Sequence, residues 1–229
     1  MGYRAYVDDT DMESLGFILM NRINPSPVRV VDAMNVQGRT PLYIDRGFYQ
    51  EIKQTLKFSY IKTVDDVTEA FRTAKSVFAD CTGKTLKLSY MEGWHYRIKK
   101  AVVSDSEMSG HMTSDFQVEL TLEPHQYNDD GLRVIGPGVV TNQYDDCRPV
   151  YNITGEGMCT LTVNGHTFTA NVGQSIVIDT ERMLCFKGTE RIVQSFSGDF
   201  DDITLKHGIN AVTITDGFTV EIIPNWRRI

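Results

Sequence analysis

The residues able to do acid–base, nucleophilic or metal chemistry are scattered along this chain. The five histidines, His95, His111, His125, His166 and His207, include no two at ligand spacing, so a zinc site has to be assembled by the fold alone. The four cysteines, Cys81, Cys147, Cys159 and Cys185, contain no C-x-x-C pair, which excludes a local zinc knuckle or thioredoxin-type motif. They read as reduced thiols of a protein made in a cytoplasm, and Cys159, in parity with Leu161 and Val163, as a small core residue. The acidic pairs Asp129/Asp130, Asp145/Asp146 and Asp201/Asp202 lie in loop-like sequence, where they read as solvated charge; a catalytic pair needs a cleft that drives the two pKa values apart. His166 lies beside a turn and reads as solvated too. Gly136-Pro137-Gly138 and Gly155-Glu156-Gly157 lack the spacing of phosphate-binding loops, and no G-x-S-x-G elbow occurs. No catalytic, cofactor-binding or metal-ligating residue is assigned, and the weight shifts toward binding or assembly.

Composition narrows the class. The 229 residues are 41% hydrophobic and 23% charged, enough for one large or two ordinary domains with a real core. Disordered, collagen-like and coiled-coil chains are excluded. There is no run of eighteen apolar residues and no apolar signal region at the start, so neither a membrane span nor a secretory signal is expected. The 23 Lys and Arg against 30 Asp and Glu give a net charge of −7, a poor balance for gripping duplex nucleic acid. Arg97-Ile98-Lys99-Lys100 reads as the wet face of a strand, and Trp226-Arg227-Arg228 is too short for a polybasic anchor.

The elements that must position any site are mostly strands. In 50–60, Ile52, Leu56, Phe58 and Tyr60 alternate with Glu51, Lys53, Thr55, Lys57 and Ser59, the pattern of a half-wet strand. Leu86, Leu88 and Tyr90, a Met91-Glu92-Gly93 turn, then Trp94, Tyr96 and Ile98 predict a hairpin. Phe116, Val118, Leu120 and Leu122 predict another strand, closed by Pro124. One helix is expected over about 63–80. Thr63 can cap it, Asp65 and Asp66 sit in its first turn, and Val67, Ala70, Phe71, Ala74, Val77 and Phe78 form an apolar stripe suited to a core. Near Tyr127 the composition turns to Asn128-Asp129-Asp130-Gly131 and Gly136-Pro137-Gly138, linker chemistry. Beyond it, Asn164-Gly165 between alternating runs predicts a hairpin, and Asp216-Gly217 between Ala211–Thr215 and Phe218–Ile222 predicts a second. Strands also fit 175–178 and 183–186. The chain therefore reads as mainly β: an α+β domain of sheet plus one helix in 1–130, then short strands and close turns in 131–229 that read as a sandwich or barrel.

The order of these features resembles the distal tail proteins, the tail-tip hub family of long non-contractile-tailed phages infecting Gram-positive bacteria. Three segments carry the likeness. The first is Leu15-Gly16-Phe17-Ile18-Leu19 with Val36-Gln37-Gly38-Arg39. The second is the helix, Leu86-Lys87-Leu88, Trp94-His95-Tyr96-Arg97, and Phe116 through Leu120 up to Pro124 and Tyr127. The third runs through Ile153-Thr154-Gly155-Glu156-Gly157, Leu161 through Gly165, Ile178-Asp179, Gly208-Ile209-Asn210 and Ile222 through Arg227. The resemblance implies a galectin-like sandwich for 131–229. It implies six copies closed into a ring by the amino-terminal domains, a homo-hexamer joining the tail tube protein to the tail-associated tip protein and able to carry receptor-binding proteins. It implies a place in the virion after assembly in the host cytoplasm, with DNA passing through the lumen without stable binding; an acidic bore suits that passage, because like charges repel. The family's Gly-Arg is often followed by Asp-Gly, whereas here Thr40-Pro41 follows, and Pro41 removes a donor and fixes φ. The sandwich leaves no room for an added sugar-binding module, so direct contact with the host surface is not expected.

A ring repeats one heterologous contact, so each subunit needs two complementary patches. The segment from Met34 to Tyr49 is the candidate, because it gathers Arg39, Tyr43, Arg46, Phe48 and Tyr49, residue types favoured at interfaces. The competing reading is an ordinary hairpin with a packed aromatic side. Two other functions stay open: a carbohydrate-binding module, since the implied sandwich is itself a lectin fold, although no His-x-Asn-x-Arg strand is present; and an enzyme whose site only the fold assembles.

Overall fold

Alternating burial fixes the strands of this chain, and a computed structural model describes residues 3–35, 37–60, 67–104, 107–108, 114–192 and 196–229. Its contacts divide into two compact units, Met1–Gln126 with Ile229, and Tyr127–Arg228.

In the first unit the strands are β1 (Ala5–Val7), β2 (Thr10–Asp11), β3 (Phe17–Leu19), β4 (Arg29–Met34), β5 (Leu42–Tyr49) and β6 (Ile52–Tyr60); then come helix α1 (Val67–Ala79), β7 (Thr85–Leu88), β8 (Trp94–Val103), β9 (Glu107–Met108) and β10 (Ser114–Asn128). The main sheet runs β2-β1-β7-β8-β10-β6-β3, with β9 added to β10. The expected hairpin of β7 and β8 is present, with Leu86 opposite Tyr96. On β10, Phe116 and Val118 lie opposite Phe58 and Leu56 of β6, so both parities send their apolar residues to one face. That face is covered by α1, whose Ala74 and Phe78 are fully buried. Phe78 meets the Phe58 ring at 5.9 Å and Phe71 meets Phe116 edge-on at 5.5 Å. Burying a side chain the size of Phe78 is worth about 2–3 kcal/mol. The cap and first-turn acids expected at Thr63, Asp65 and Asp66 lie outside the described residues. Pro124 does not close its strand: β10 continues to Asn128. The pairing with β6 ends at Leu122 opposite Ile52, so no β6 carbonyl waits for the N–H that Pro124 lacks.

The second unit contains β11 (Gly138–Asn142), β12 (Val150–Val163), β13 (His166–Asp179), β14 (Leu184–Lys187), β15 (Glu190–Ile192), β16 (Phe196–Ser197), β17 (Gly208–Ile214) and β18 (Thr219–Ile223). Their order is β11-β17-β12-β13-β14-β15, with β16 on β13 and β18 on β12. The β12–β13 hairpin closes through Asn164 and Gly165, both at positive φ (52° and 87°), with Val163 opposite His166. That is the two-residue turn whose twist matches its strands. Midway along, Gly155 (φ 155°) faces Gln174 (φ 68°), and Gly157 (φ 97°) follows. The hairpin bends there, and both its halves enter one core: Tyr151, Ile153, Ile176 and Ile178 from one, Cys159, Leu161, Phe168 and Ala170 from the other. Cys159 is buried, as its parity requires. The arrangement is sandwich-like, made from one folded-over sheet.

The second expected hairpin is corrected. The strands β17 and β18 do not pair with each other; β17 pairs with Leu161–Val163 of β12 and β18 with Val150–Thr154 of the same strand. The Asp216-Gly217 turn carries the chain along β12, past its bend, because the bend splits the β12 edge into two short segments. Phe218 lands on Gly155, where a Cβ would lie 2.3 Å from the ring. Replacing Gly155 by Val is expected to lower the urea midpoint by the equivalent of about 2–3 kcal/mol, from the positive φ and the ring clash together. Adding Phe218→Ala should recover the clash component only, so the double variant should be less destabilised than the two single effects summed; strict additivity would refute the contact.

Candidate functional site: an uncovered two-stranded ribbon

Strands β4 and β5 form a sheet of their own, separate from the main sheet of the first unit. Asp32 lies opposite Ile44, Ala33 opposite Tyr43 and Met34 opposite Leu42. The register slips between Arg29 and Val31, and Gly47 takes φ 78° in the slipped stretch. An isolated pair of strands is marginal in water, so its anchors matter. Arg29 Nε holds Asp45 at 2.7 Å, and Arg46 Nε donates to Asp32 at 2.6 Å. The Arg29 guanidinium also lies 5.6 Å from the Tyr49 ring centre. At the base, Tyr49 meets His125 edge-on at 6.5 Å, and Lys99 holds Glu51 at 2.8 Å. The Arg29 guanidinium, then the Gly47 N–H, hold the Asp45 carboxyl below its ordinary value.

Neither face of the ribbon is covered. One face carries Val31, Ala33 and Tyr43, the other Met34, Leu42 and Ile44, and of the large residues Tyr43 is 68% exposed, Leu42 57% and Met34 55%. Phe48 and Val28 add 58% and 62% exposed side chains. Contiguous apolar surface of this kind on a water-facing element marks an interaction site. The alternative of a packed aromatic side is excluded for Tyr43 and Phe48.

The candidate residues divide by position. Arg39 is exposed in the turn that joins the two strands, and Tyr43 stands at the same end of the ribbon. Arg46 is exposed but engaged with Asp32. Phe48 is exposed near the base, and Tyr49 is the half-buried anchor. The sequence reading missed Val28, Val31, Leu42 and Ile44. The signal was the unbroken apolar run Leu42-Tyr43-Ile44, which no half-buried strand needs.

The rest of the molecule holds chemistry of a different kind. A cleft of about 290 Å³ in the second unit is lined by Asp146, Cys147, Arg148, Asp201, Thr204, Lys206 and Arg227. Its charges are paired: Lys206 with Asp146 at 3.1 Å, Arg148 with Asp201 at 2.7 Å, and Arg227 with Glu181 at 3.0 Å. Burial pushes the Asp146 carboxyl up, but the His207 backbone N–H and the Lys206 ammonium outweigh it and leave it below the ordinary value. That is opposite to the raised pKa a general acid needs. The His166 side chain is 58% exposed, 3.8 Å from Asp202. Among the described residues, no group of three or more His, Cys, Asp or Glu converges as a metal site. No described helix is long and apolar enough to cross a membrane. All four cysteines are free and buried, and burial pushes Cys147 up to about 11 and Cys185 to about 12.

Comparison with known proteins follows the fold. No protein-family model matches the chain, and no curated protein matches its sequence. Among solved structures, the two-unit β fold is that of a phage tail hub protein. The match is to the crystal structure of SPP1 Dit (gp 19.1), described as a paradigm of the hub adsorption apparatus in Gram-positive-infecting phages. The likeness covers 100% of this chain and 99% of that one, with a TM-score of 0.62 at 11% sequence identity.

Three outcomes are expected. Tyr43→Ser with Phe48→Ser should change unfolding free energy by no more than about 0.5 kcal/mol, because neither side chain has a core to leave; a loss of 2 kcal/mol or more would return them to an internal packing role. The Asp45 carboxyl, followed by NMR, should titrate below an ordinary aspartate and move up in Arg29→Ala. Its folded pKa is depressed, so its small contribution to stability is present above the unfolded pKa and fades as pH falls through the folded one. In native protein at pH 8 a disulfide reagent should label fewer than one thiol per chain within minutes, against four after denaturation.

Proposed function

We propose that this chain is a structural protein of a phage tail tip, a distal tail protein whose six copies close a ring joining the tail tube to the tip and receptor-binding apparatus. The observation that carries the reading is the full-length likeness to SPP1 Dit, with 100% of this chain and 99% of that one matched in a single alignment. The ribbon supports it independently. A cyclic assembly needs a patch on each subunit that is unfinished in the isolated chain, and both faces of β4–β5 are unfinished in that sense. The ring contact is assigned to Arg39, Tyr43, Arg46, Phe48 and Tyr49, widened to Val31, Leu42 and Ile44. Tyr49 and Arg46 hold the ribbon's shape, and Arg39, Tyr43 and Phe48 meet the neighbouring subunit. The sandwich-like second unit is the galectin-like part of the assembly, and DNA passes through the lumen without stable contact. Catalysis and cofactors have no part in this role.

The test is the native mass of the purified chain, alone and mixed with its tail tube protein. Six copies of a 25.9 kDa chain give a species of roughly 155 kDa. Replacing Arg39 and Tyr43 together by Ala should shift that species toward smaller forms while thermal stability stays unchanged. A chain that stays monomeric alone and with the tube protein would overturn the hub reading.

A further inference from the structure

We propose that Asn164 is a site of spontaneous covalent modification, a deamidation site that the docking of its turn on β17 holds in check. Asn164-Gly165 is the one Asn-Gly step in the sequence, and it forms the two-residue turn between β12 and β13. The reaction is intramolecular. The Gly165 backbone nitrogen loses its proton and attacks Cγ of Asn164; an N–Cγ bond forms, and the Cγ–Nδ2 bond breaks to release ammonia. Water then opens the cyclic imide at one carbonyl or the other, leaving aspartate or isoaspartate at position 164. One water is consumed and one ammonia released, with no enzyme, oxidant or metal. Glycine is the favourable following residue because no side chain crowds its nitrogen, and Gly165 has open space where a Cβ would point. Both turn residues are exposed, so water reaches them.

In the docked turn the carboxamide is held at both ends. Strand β17 pairs with β12 as far as Val163 opposite Val212, and Asn164 extends that ladder by one residue. Its backbone N–H donates to the Ala211 carbonyl at 2.9 Å. The Ala211 N–H donates back to Asn164 Oδ1, also at 2.9 Å, so a side-chain oxygen stands in for a strand's backbone carbonyl. At the other end, Nδ2 donates to Asn210 Oδ1 at 2.8 Å. Attack on Cγ comes from above the carboxamide plane and turns a planar carbon tetrahedral. Oδ1 and Nδ2 then both leave the directions in which they are bonded, so the reaction forfeits both bonds to β17.

Asn210 makes the product incompatible with the docked turn. It is fully buried, its Oδ1 also accepts from the Lys206 N–H at 2.8 Å, and its Nδ2 donates to the Lys206 and Gly208 carbonyls at 2.8 and 3.2 Å. Backbone groups cannot exchange donor for acceptor, so these partners fix which way both carboxamides face. Deamidation replaces the Asn164 amide nitrogen by a carboxylate oxygen, which then meets Asn210 Oδ1, acceptor against acceptor. Asn210 cannot turn over without setting its NH2 against the Lys206 N–H and its oxygen against two carbonyls. Isoaspartate adds a methylene to the main chain of a turn only two residues long, which spoils its match to the strands. Deamidation therefore proceeds from molecules whose turn has opened off β17, and each event leaves the end of the β12–β17 seam weakened. Such opening is local and more frequent than global unfolding.

The test incubates the full wild-type chain at pH 8, native and in guanidinium chloride, and follows the mass of the peptide that carries Asn164. Mass is the readout because Asp130-Gly131 and Asp216-Gly217 can form isoaspartate without changing it. The unfolded chain should deamidate at Asn164 at least tenfold faster than the native one. Asn210→Ala removes the acceptor but keeps the Asn-Gly step, so it should raise the native rate severalfold and leave the unfolded rate unchanged. Asn164→Asp, which is the product, should melt below the wild type, while Asn171→Asp, at an exposed asparagine of β13, should melt with it. If Asn210→Ala fails to fold, the two wild-type rates and the Asn164→Asp melt still decide. Equal rates in native and unfolded wild type, or an Asn164→Asp chain as stable as the wild type, overturns the proposal.

Discussion

A β-sheet with one apolar face has to keep water from that face, and the architecture of this chain follows from how each sheet does so. In the first unit the cover is a helix. Phe71, Ala74 and Phe78 of α1 lie over Phe58 and Phe116, and aromatic contacts tie the two layers together. In the second unit no α-helix is present among the described residues. The sheet covers itself, because β12 and β13 bend where Gly155 faces Gln174 and the two halves share one core. The ribbon of β4 and β5 has neither a helix nor a second layer. The same requirement that explains the two cores sets the ribbon apart among the described sheets, because the apolar side chains on both its faces stay in water.

The parts legible in the sequence were those decided locally. Side-chain parity placed β6, β7, β8, β10 and the β12–β13 hairpin, because a half-buried strand writes its burial into every second residue. The Asn164-Gly165 turn was readable because few residues other than Asn and Gly accept its backbone angles. What depended on a distant strand was not readable. Asp216-Gly217 carries turn chemistry, but whether the flanking strands pair with each other is settled by the bend in β12, about sixty residues earlier. Pro124 reads as a stop until the end of the β6 pairing is known. The ribbon resisted for a related reason: Leu42, Tyr43 and Ile44 alternate between two faces that are both wet, so parity had nothing to report. Its residue types pointed to an interface, and only the exposure of Val31, Leu42 and Ile44 gave that surface its extent.

The comparison adds a lesson about what is kept. At 11% identity over the whole length, nearly every side chain differs between this chain and SPP1 Dit while the path of the backbone persists. Parity, turn chemistry and covered faces tolerate such turnover, since many residues satisfy them. Contacts between molecules are less tolerant, because both partners must change together.

The four buried thiols have a practical meaning. Each is held un-ionised inside a core, with no disulfide to form or exchange. The native surface is therefore chemically silent toward thiol reagents, and a single cysteine introduced at Thr40 or Thr213 would be the only reactive one. The chain arrives with a blank background on which spectroscopic probes can be written one position at a time.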